Sequence, residues 1–321
     1  MVAFLELEKR FSKNKMTEEK IETLTNLPLG HNGIVCIIGV GLIGGSMAMA
    51  LKEKGIAKKI IGVGRSAASI AKAIELGIID EVLPLEEAVK QADFIYVSIP
   101  VDATIPVILE VMDLITDKQI VVDAGSTKFA LCNALIDHPK RKQFVATHPM
   151  WGTEYSGPEA AVKGAFAGRA CVICEKEKSD TAALQKVENI YKAVNMHLVY
   201  MDAANHDIHA AYVSHISHIT SFALANTVLE KEKEEDAIFE MAGGGFESTV
   251  RLAKSNPSMW APIFMQNREN VLDVLNEHIS QLRKFKASLE KENMEYLIEL
   301  MENANRIRRI LPPPLPEGGT K

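Results

Sequence analysis

The stretch Ile34-Val35-Cys36-Ile37-Ile38-Gly39-Val40-Gly41-Leu42-Ile43-Gly44-Gly45-Ser46-Met47 decides the fold of this chain. An apolar, β-branched run leads into Gly-x-Gly-x-x-Gly, and an Ala/Met/Leu helix pattern follows it. Strand, glycine turn and helix in that order form a unit built for a pyrophosphate. Gly39 permits a turn that a side chain would block. Gly41 lets the backbone approach the phosphates, and Gly44 lets the helix pack closely on the strand. The free N–H groups of the helix start, beginning at Leu42 and Ile43, then face the anion.

Outward from that unit the text keeps alternating. Strands are expected over 34–38, 59–63, near Val82, 94–99, 119–122 and 143–146, with helices over 42–54, 67–76, 104–114 and 128–137. Alternation of this kind implies right-handed βαβ units and a parallel sheet. Further strands over 169–174 and 197–200 flank a helix over 181–194. After Tyr200 the strand signal stops, and helices are expected over 203–229, 234–241, 247–254, 257–267, 269–290 and 295–310. The expected fold is α/β, an N-terminal Rossmann-type doubly wound sheet followed by an all-helical C-terminal domain. Residues 1–32 read as an extension, 33–200 as the dinucleotide-binding domain and 201–310 as a helical substrate and dimerisation domain. Pro312-Pro313-Pro314 and Gly318-Gly319 mark 311–321 as a tail outside the core.

The 321 residues carry a formal net charge of −6, with 47% hydrophobic and 24% charged residues. That balance provides no basic surface for nucleic acid and no polybasic anchor for a membrane. No run approaches the ~18 apolar residues of a membrane span, and the charged segment 1–33 lacks a signal-peptide core. A cytoplasmic setting is expected. Cys171 and Cys174 have a redox or zinc spacing in isolation, but period-2 alternation puts them on opposite faces of a strand, as buried thiols.

A nucleotide fold does not specify a reaction, so the chemistry must lie near the carboxyl ends of the strands. Two segments qualify there: Asp123-Ala124-Gly125-Ser126-Thr127-Lys128, and Thr147-His148-Pro149-Met150-Trp151-Gly152-Thr153-Glu154. Together they offer a hydroxyl, an imidazole and a carboxylate at one sheet edge. An imidazole is the natural base for a hydroxyl proton near neutral pH while hydride leaves the same or a conjugated carbon. Ser126 can hold that imidazole, cap the following helix, or do both. Arg251, after Gly243-Gly244-Gly245, offers a planar fork matched to a carboxylate. His215 and His218, and again His206 and His209, stand three apart and share a helix face. That spacing also suits a metal, but no third ligand follows at a recognisable spacing, and no metal is expected.

These motifs taken together carry a resemblance. Gly-Val-Gly-Leu-Ile-Gly-Gly-Ser (39–46), Asp-x-Gly-Ser-x-Lys (123–128), Thr-His-Pro-Met-x-Gly-x-Glu-x-Ser-Gly (147–157), Ser-His-Ile-x-His (214–218) and Gly-Gly-Phe-x-x-x-x-Arg-x-Ala (244–253) resemble the prephenate/arogenate dehydrogenase family over roughly residues 34–290. Members carry out oxidative decarboxylation in tyrosine biosynthesis. The resemblance implies that His148 is the hydrogen-bonding base to the ring 4-hydroxyl and that Ser126 is its orienting neighbour near the nicotinamide. It further implies that Arg251 binds a substrate carboxylate, that His215 and His218 line the substrate pocket and that Glu154 helps close its entrance. Nothing after the helices resembles the ACT regulatory domain, so any feedback by tyrosine would act at the active site.

The cofactor contacts expected are Gly39, Gly41, Leu42, Ile43, Gly44, Arg65, Ser66 and Pro100. An NAD-selective fold usually places Asp or Glu at the end of its second strand, whereas this chain reads Gly62-Val63-Gly64-Arg65-Ser66. Arginine and serine match a 2′-phosphate better, so the reading leans towards NADP, with use of both cofactors open. Prephenate is preferred to arogenate because imidazoles suit the keto acid. A homodimer through the helical half is expected. Competing readings are a β-hydroxyacid dehydrogenase, which would use a helix lysine as proton donor, and a non-catalytic dinucleotide-binding redox sensor.

Overall fold

The computed structural model describes residues 33–233 and 238–311. The expected extension over 1–32, the start of the helix expected at 234 and the tail from 312 lie outside the described residues. Two compact units are present, one ending at Arg268 and the other beginning at Glu269.

The first unit starts with β1 (Ile34–Ile38), α1 (Leu42–Glu53), β2 (Lys59–Val63), α2 (Ala67–Glu75), β3 (Glu81–Val82) and α3 (Leu85–Gln91). It continues through β4 (Phe94–Val97), α4 (Val101–Leu114), β5 (Ile120–Asp123), α5 (Phe129–Ala134), β6 (Phe144–Pro149), β7 (Ala170–Cys174), α6 (Thr181–Ala193) and β8 (His197–Met201). The strands form one eight-stranded sheet in the order β3-β2-β1-β4-β5-β6-β7-β8. β1 to β6 run parallel, as the alternating text implied. β7 is antiparallel to β6, and β8 is parallel to β7. Between β6 and β7 the only helical element is the turn Pro158–Ala160, so no crossover helix carries the chain back to the starting edge.

Strand order reverses between β1 and β4, and ligands of such sheets bind in the crevice outside the carboxyl ends at that switch. Period-2 alternation divides the core between the two sheet faces. Val35, Ile37, Val122, Val145 and Ile173 pack with Met47 and Leu51 of α1 and Val187 and Tyr191 of α6. Cys36, Ile38, Ile95, Val121 and Ala146 pack with Val89, Ile108, Met112 and Leu131 on the other side. Cys171 belongs to the first cluster and Cys174 to the second, and both are free, buried thiols.

Three local differences from the sequence reading matter for function. β6 runs on to Pro149, so His148 is held within a strand rather than on the loop after it. α5 begins only at Phe129, with Lys128 at its N-cap and no side-chain cap there. Ser126 therefore does not cap that helix. The single helix expected over 203–229 is broken into α7 (Ala203–Ala210), a π-helical turn over Ala211–His215 and α8 (Ile216–Glu232). Such turns widen the helix locally and re-aim the side chains around them.

The first unit closes with α9 (Gly244–Val250), a 3₁₀ turn over Arg251–Lys254 and α10 (Pro257–Gln266). Helix α11 (Arg268–Glu290), which lies in the second unit from its second residue on, is followed by α12 (Met294–Asn305). Asn293 caps α12 by accepting from Tyr296 N at 3.0 Å. Among the described residues no helix is long and apolar enough to cross a membrane.

Candidate active site

The glycine turn is shaped as its spacing implied. Gly39 has φ +93°, and a Cβ there would lie 2.5 Å from the Ser98 carbonyl oxygen. A Cβ on Gly44 would lie 2.2 Å from the Gly39 carbonyl oxygen, so this helix can pack on its strand only without a side chain. Gly41 differs: its Cβ would meet nothing within 4 Å. Gly41 is also the N-cap of α1 and supplies no side-chain cap, so the first N–H groups of that helix remain for a ligand. Open space above a bare helix start at the switch point fits a dinucleotide pyrophosphate. Ser98 Oγ donates to Gly39 O at 2.8 Å, tying the end of β4, and Pro100 just beyond it, to the turn.

At the end of β2, Arg65 is exposed. Ser66 is the N-cap of α2, its Oγ accepting from Ser69 N at 3.2 Å. Gly64, Arg65, Ala67 and Ile70 line an open recess beside them.

The ends of β5 and β6 are locked together by Asp123. Its carboxylate accepts from Thr147 N at 3.1 Å, from Gly125 N at 2.9 Å and from Lys128 Nζ at 2.5 Å. Lys128 also donates to the carbonyls of Gly125 and Thr127 at 2.6 and 3.0 Å. An ammonium has three donors, and all three are engaged. Lys128 is thus a buried strut that curls the Ser126 loop, not the free proton donor of a β-hydroxyacid dehydrogenase.

His148 Nδ1 lies 2.8 Å from His206 Nε2, and His206 Nδ1 lies 2.7 Å from Asp207 Oδ1. The Asp207 carboxylate also accepts from Lys128 N at 2.7 Å and Phe129 N at 3.0 Å, which makes it the missing cap of α5. Sequence reading expected Ser126 beside this imidazole; among the described residues no hydrogen bond joins Ser126 to His148, whose Nδ1 meets His206 instead. His206 and His209 share a spacing but not a task, since His209 Nδ1 turns to Asn205 O. Burial, with His206, Lys128 and His215 close by, holds the His148 imidazole well below its ordinary range. It is therefore neutral at physiological pH and able to accept a proton.

A second group lies beyond the π turn. Asn267 Nδ2 donates to Asp207 O at 2.7 Å and stands 3.2 Å from His215 Nδ1. Burial takes His215 down to about 4, against the pull of Asp207 in the other direction. His218 stacks on Trp260 with ring centroids 3.4 Å apart, and His215 meets the same indole edge-on. Burial lowers His218 as well, with the Arg251 guanidinium adding to the effect. Arg251 Nη1 reaches Glu154 Oε2 at 3.1 Å across 97 residues of sequence. The structure thus brings His215 near His148, sets His215 and His218 against one indole, and pairs Arg251 with Glu154. Sequence reasoning missed Lys128, Asp207 and Asn267 as structural members of the site, and noticed His206 only for its spacing. Lys128 has its side-chain partners within five residues, but the contacts of Asp207 with α5, of His206 with His148 and of Asn267 with Asp207 and His215 span 52 to 79 residues, beyond any local pattern.

A glycine-turn sheet with an imidazole at the end of β6 is the build of a nicotinamide-dependent dehydrogenase, and the proteins similar to this chain give that class. Residues 47–200 match the prephenate dehydrogenase nucleotide-binding domain, and residues 202–303 match the prephenate dehydrogenase dimerization domain. The chain belongs to the prephenate dehydrogenase family. It is 32% identical to the prephenate dehydrogenase of Bacillus subtilis over 87% of this chain and 76% of that protein. It is 27% identical to the cyclohexadienyl dehydrogenase of Zymomonas mobilis, covering 86% of this chain and 95% of that one. Among solved structures, the prephenate dehydrogenase of A. aeolicus in complex with hydroxyphenyl propionate and NAD+ superimposes with a TM-score of 0.80. The identity there is 32%, over 88% of this chain and 98% of that one.

Proposed function

We propose that this chain oxidatively decarboxylates prephenate to 4-hydroxyphenylpyruvate in tyrosine biosynthesis. The observation that carries the reading is His148, a neutral imidazole whose Nε2 has no protein partner among the described residues, fixed at the same sheet edge as the glycine turn. When bound, the nicotinamide supplies a hydride acceptor. His148 Nε2 accepts the hydrogen bond, and then the proton, of the ring 4-hydroxyl as C4 loses hydride. The electron pair of the bond to the departing carbon dioxide completes the aromatic ring as a phenolate, to which His148 returns the proton, and aromatisation makes the step run forward. The protein's remaining work is orientation, which a bidentate guanidinium on a carboxylate provides. Arg251 takes that part. Glu154 holds Arg251 at the entrance until substrate arrives, and His215 and His218 line the pocket. Ser126, half-buried on the loop curled by Lys128, stands on the nicotinamide side.

NADP is the preferred cofactor in this reading, because Arg65 and Ser66 occupy the place where an acid would take the ribose hydroxyls. Residues 201–310 form the substrate and dimerisation region, the protein works as a cytoplasmic homodimer, and prephenate is favoured over arogenate. The match of 202–303 to a dimerization domain supports the second of these. Initial rates with prephenate or arogenate, each with NAD or NADP, test the reading, and light scattering at micromolar concentration tests the dimer. Turnover highest with prephenate and NADP is the expected result. No turnover in any combination, with cofactor binding intact, would remove it.

A further inference from the structure

We infer that Asp207, acting through His206, is a positioning residue that fixes the tautomer of His148, with the proton on Nδ1 and the lone pair on Nε2. A carboxylate can only accept, so the 2.7 Å contact from His206 Nδ1 to Asp207 Oδ1 places a proton on that nitrogen. Neutral His206 then has an unprotonated Nε2, which must accept across the 2.8 Å contact to His148 Nδ1. The remaining nitrogen of His148 is left as an acceptor, the form a base needs.

The chain of deduction would reverse if His206 were an imidazolium, because both of its nitrogens would then donate. The surroundings oppose that charge: His206 is 2% exposed, and burial lowers it despite the pull of Asp207, with the buried Lys128 ammonium adding to the lowering. Asp207 is itself immobilised. Its two oxygens accept from the consecutive N–H groups of Lys128 and Phe129, and Asn267 Nδ2 donates to its backbone carbonyl. The same Asn267 nitrogen faces His215 Nδ1, so His215 takes the opposite tautomer, with its proton on Nε2. One aspartate thus sits between two imidazoles of opposite hydrogen-bonding sense, an acceptor at His148 and a donor at His215.

The catalytic consequence rests on the proposed reaction, but the tautomer does not. Long-range ¹H–¹⁵N correlation spectra of the ¹⁵N-histidine-labelled full chain at neutral pH, assigned with His148→Asn and His215→Asn, read it without substrate. The expected spectrum shows His148 protonated at Nδ1 and His215 protonated at Nε2. A His148 ring protonated at Nε2 would overturn the inference. Asp207→Ala removes the one acceptor that faces His206 Nδ1, so nothing then dictates the proton on His206. His148 should then populate both tautomers, and kcat should fall about 10²-fold to 10⁴-fold, as expected for a misoriented base. KM and cofactor affinity should change less than about threefold, a split that general loosening of the fold would not produce. An unchanged His148 tautomer with unchanged kcat in that variant would also overturn it. Correct tautomers without turnover on prephenate would sink the substrate reading and leave the relay standing.

Discussion

The Lys128 ammonium lies 2.5 Å from the Asp123 carboxylate, with neither side chain exposed to solvent. A buried ion pair of this kind is no large net source of stability, but removing one partner strands the other in a medium that cannot solvate it. Asp123→Ala should therefore destabilise the fold by about 3–5 kcal/mol. Replacing both residues, Asp123→Leu with Lys128→Met, should cost less than the single change. Urea denaturation of the three proteins checks this, and a double variant weaker than Asp123→Ala would contradict it.

Gly41 and Gly44 should respond differently to alanine. A Cβ on Gly44 meets the Gly39 carbonyl oxygen at 2.2 Å, whereas one on Gly41 meets nothing within 4 Å. Gly44→Ala should lower the melting temperature of the ligand-free protein, although alanine ordinarily favours a helix. Gly41→Ala should melt with the parent and bind the dinucleotide at least tenfold more weakly. Calorimetric melting and fluorescence titration with the reduced cofactor separate the two outcomes.

His148→Asn removes the proposed base while keeping a polar group in the strand. A positioned base contributes about 10² to 10⁴-fold in rate, and kcat should fall by that factor with cofactor affinity nearly unchanged. Near-normal turnover would take His148 out of the mechanism.

Acid should weaken the fold through buried imidazoles. His148, His206, His215 and His218 all lie below the ordinary histidine value, in each case chiefly through burial, and His215 falls from 6.5 to about 4. Between those values the unfolded chain binds protons that the folded protein refuses, so stability rises with pH across the window. The contribution of His215 is complete above about pH 6.5 and is lost as pH falls towards 4. Urea midpoints should decline steadily from pH 7 to 5, and His215→Asn should decline less steeply. A midpoint that stays flat in the parent would contradict the prediction.

The sequence alone determined the parts whose physics is local. Gly39 and Gly44 announce a turn that only glycine allows, strands 34–38 and 59–63 end where their apolar text ends, and Cys171 and Cys174 are sent to opposite faces by the strand period. Adjacent residues carry those signals, so no knowledge of the fold is needed to read them. Tertiary structure decided how the site is held. Asp207 caps a helix that starts 78 residues before it, His206 reaches His148 across 58 residues, and Arg251 finds Glu154 across 97. A carboxylate, an imidazole and an amide leave no periodic trace in a sequence, and their hydrogen bonds exist only where the packed elements place donor and acceptor within about 3 Å of each other.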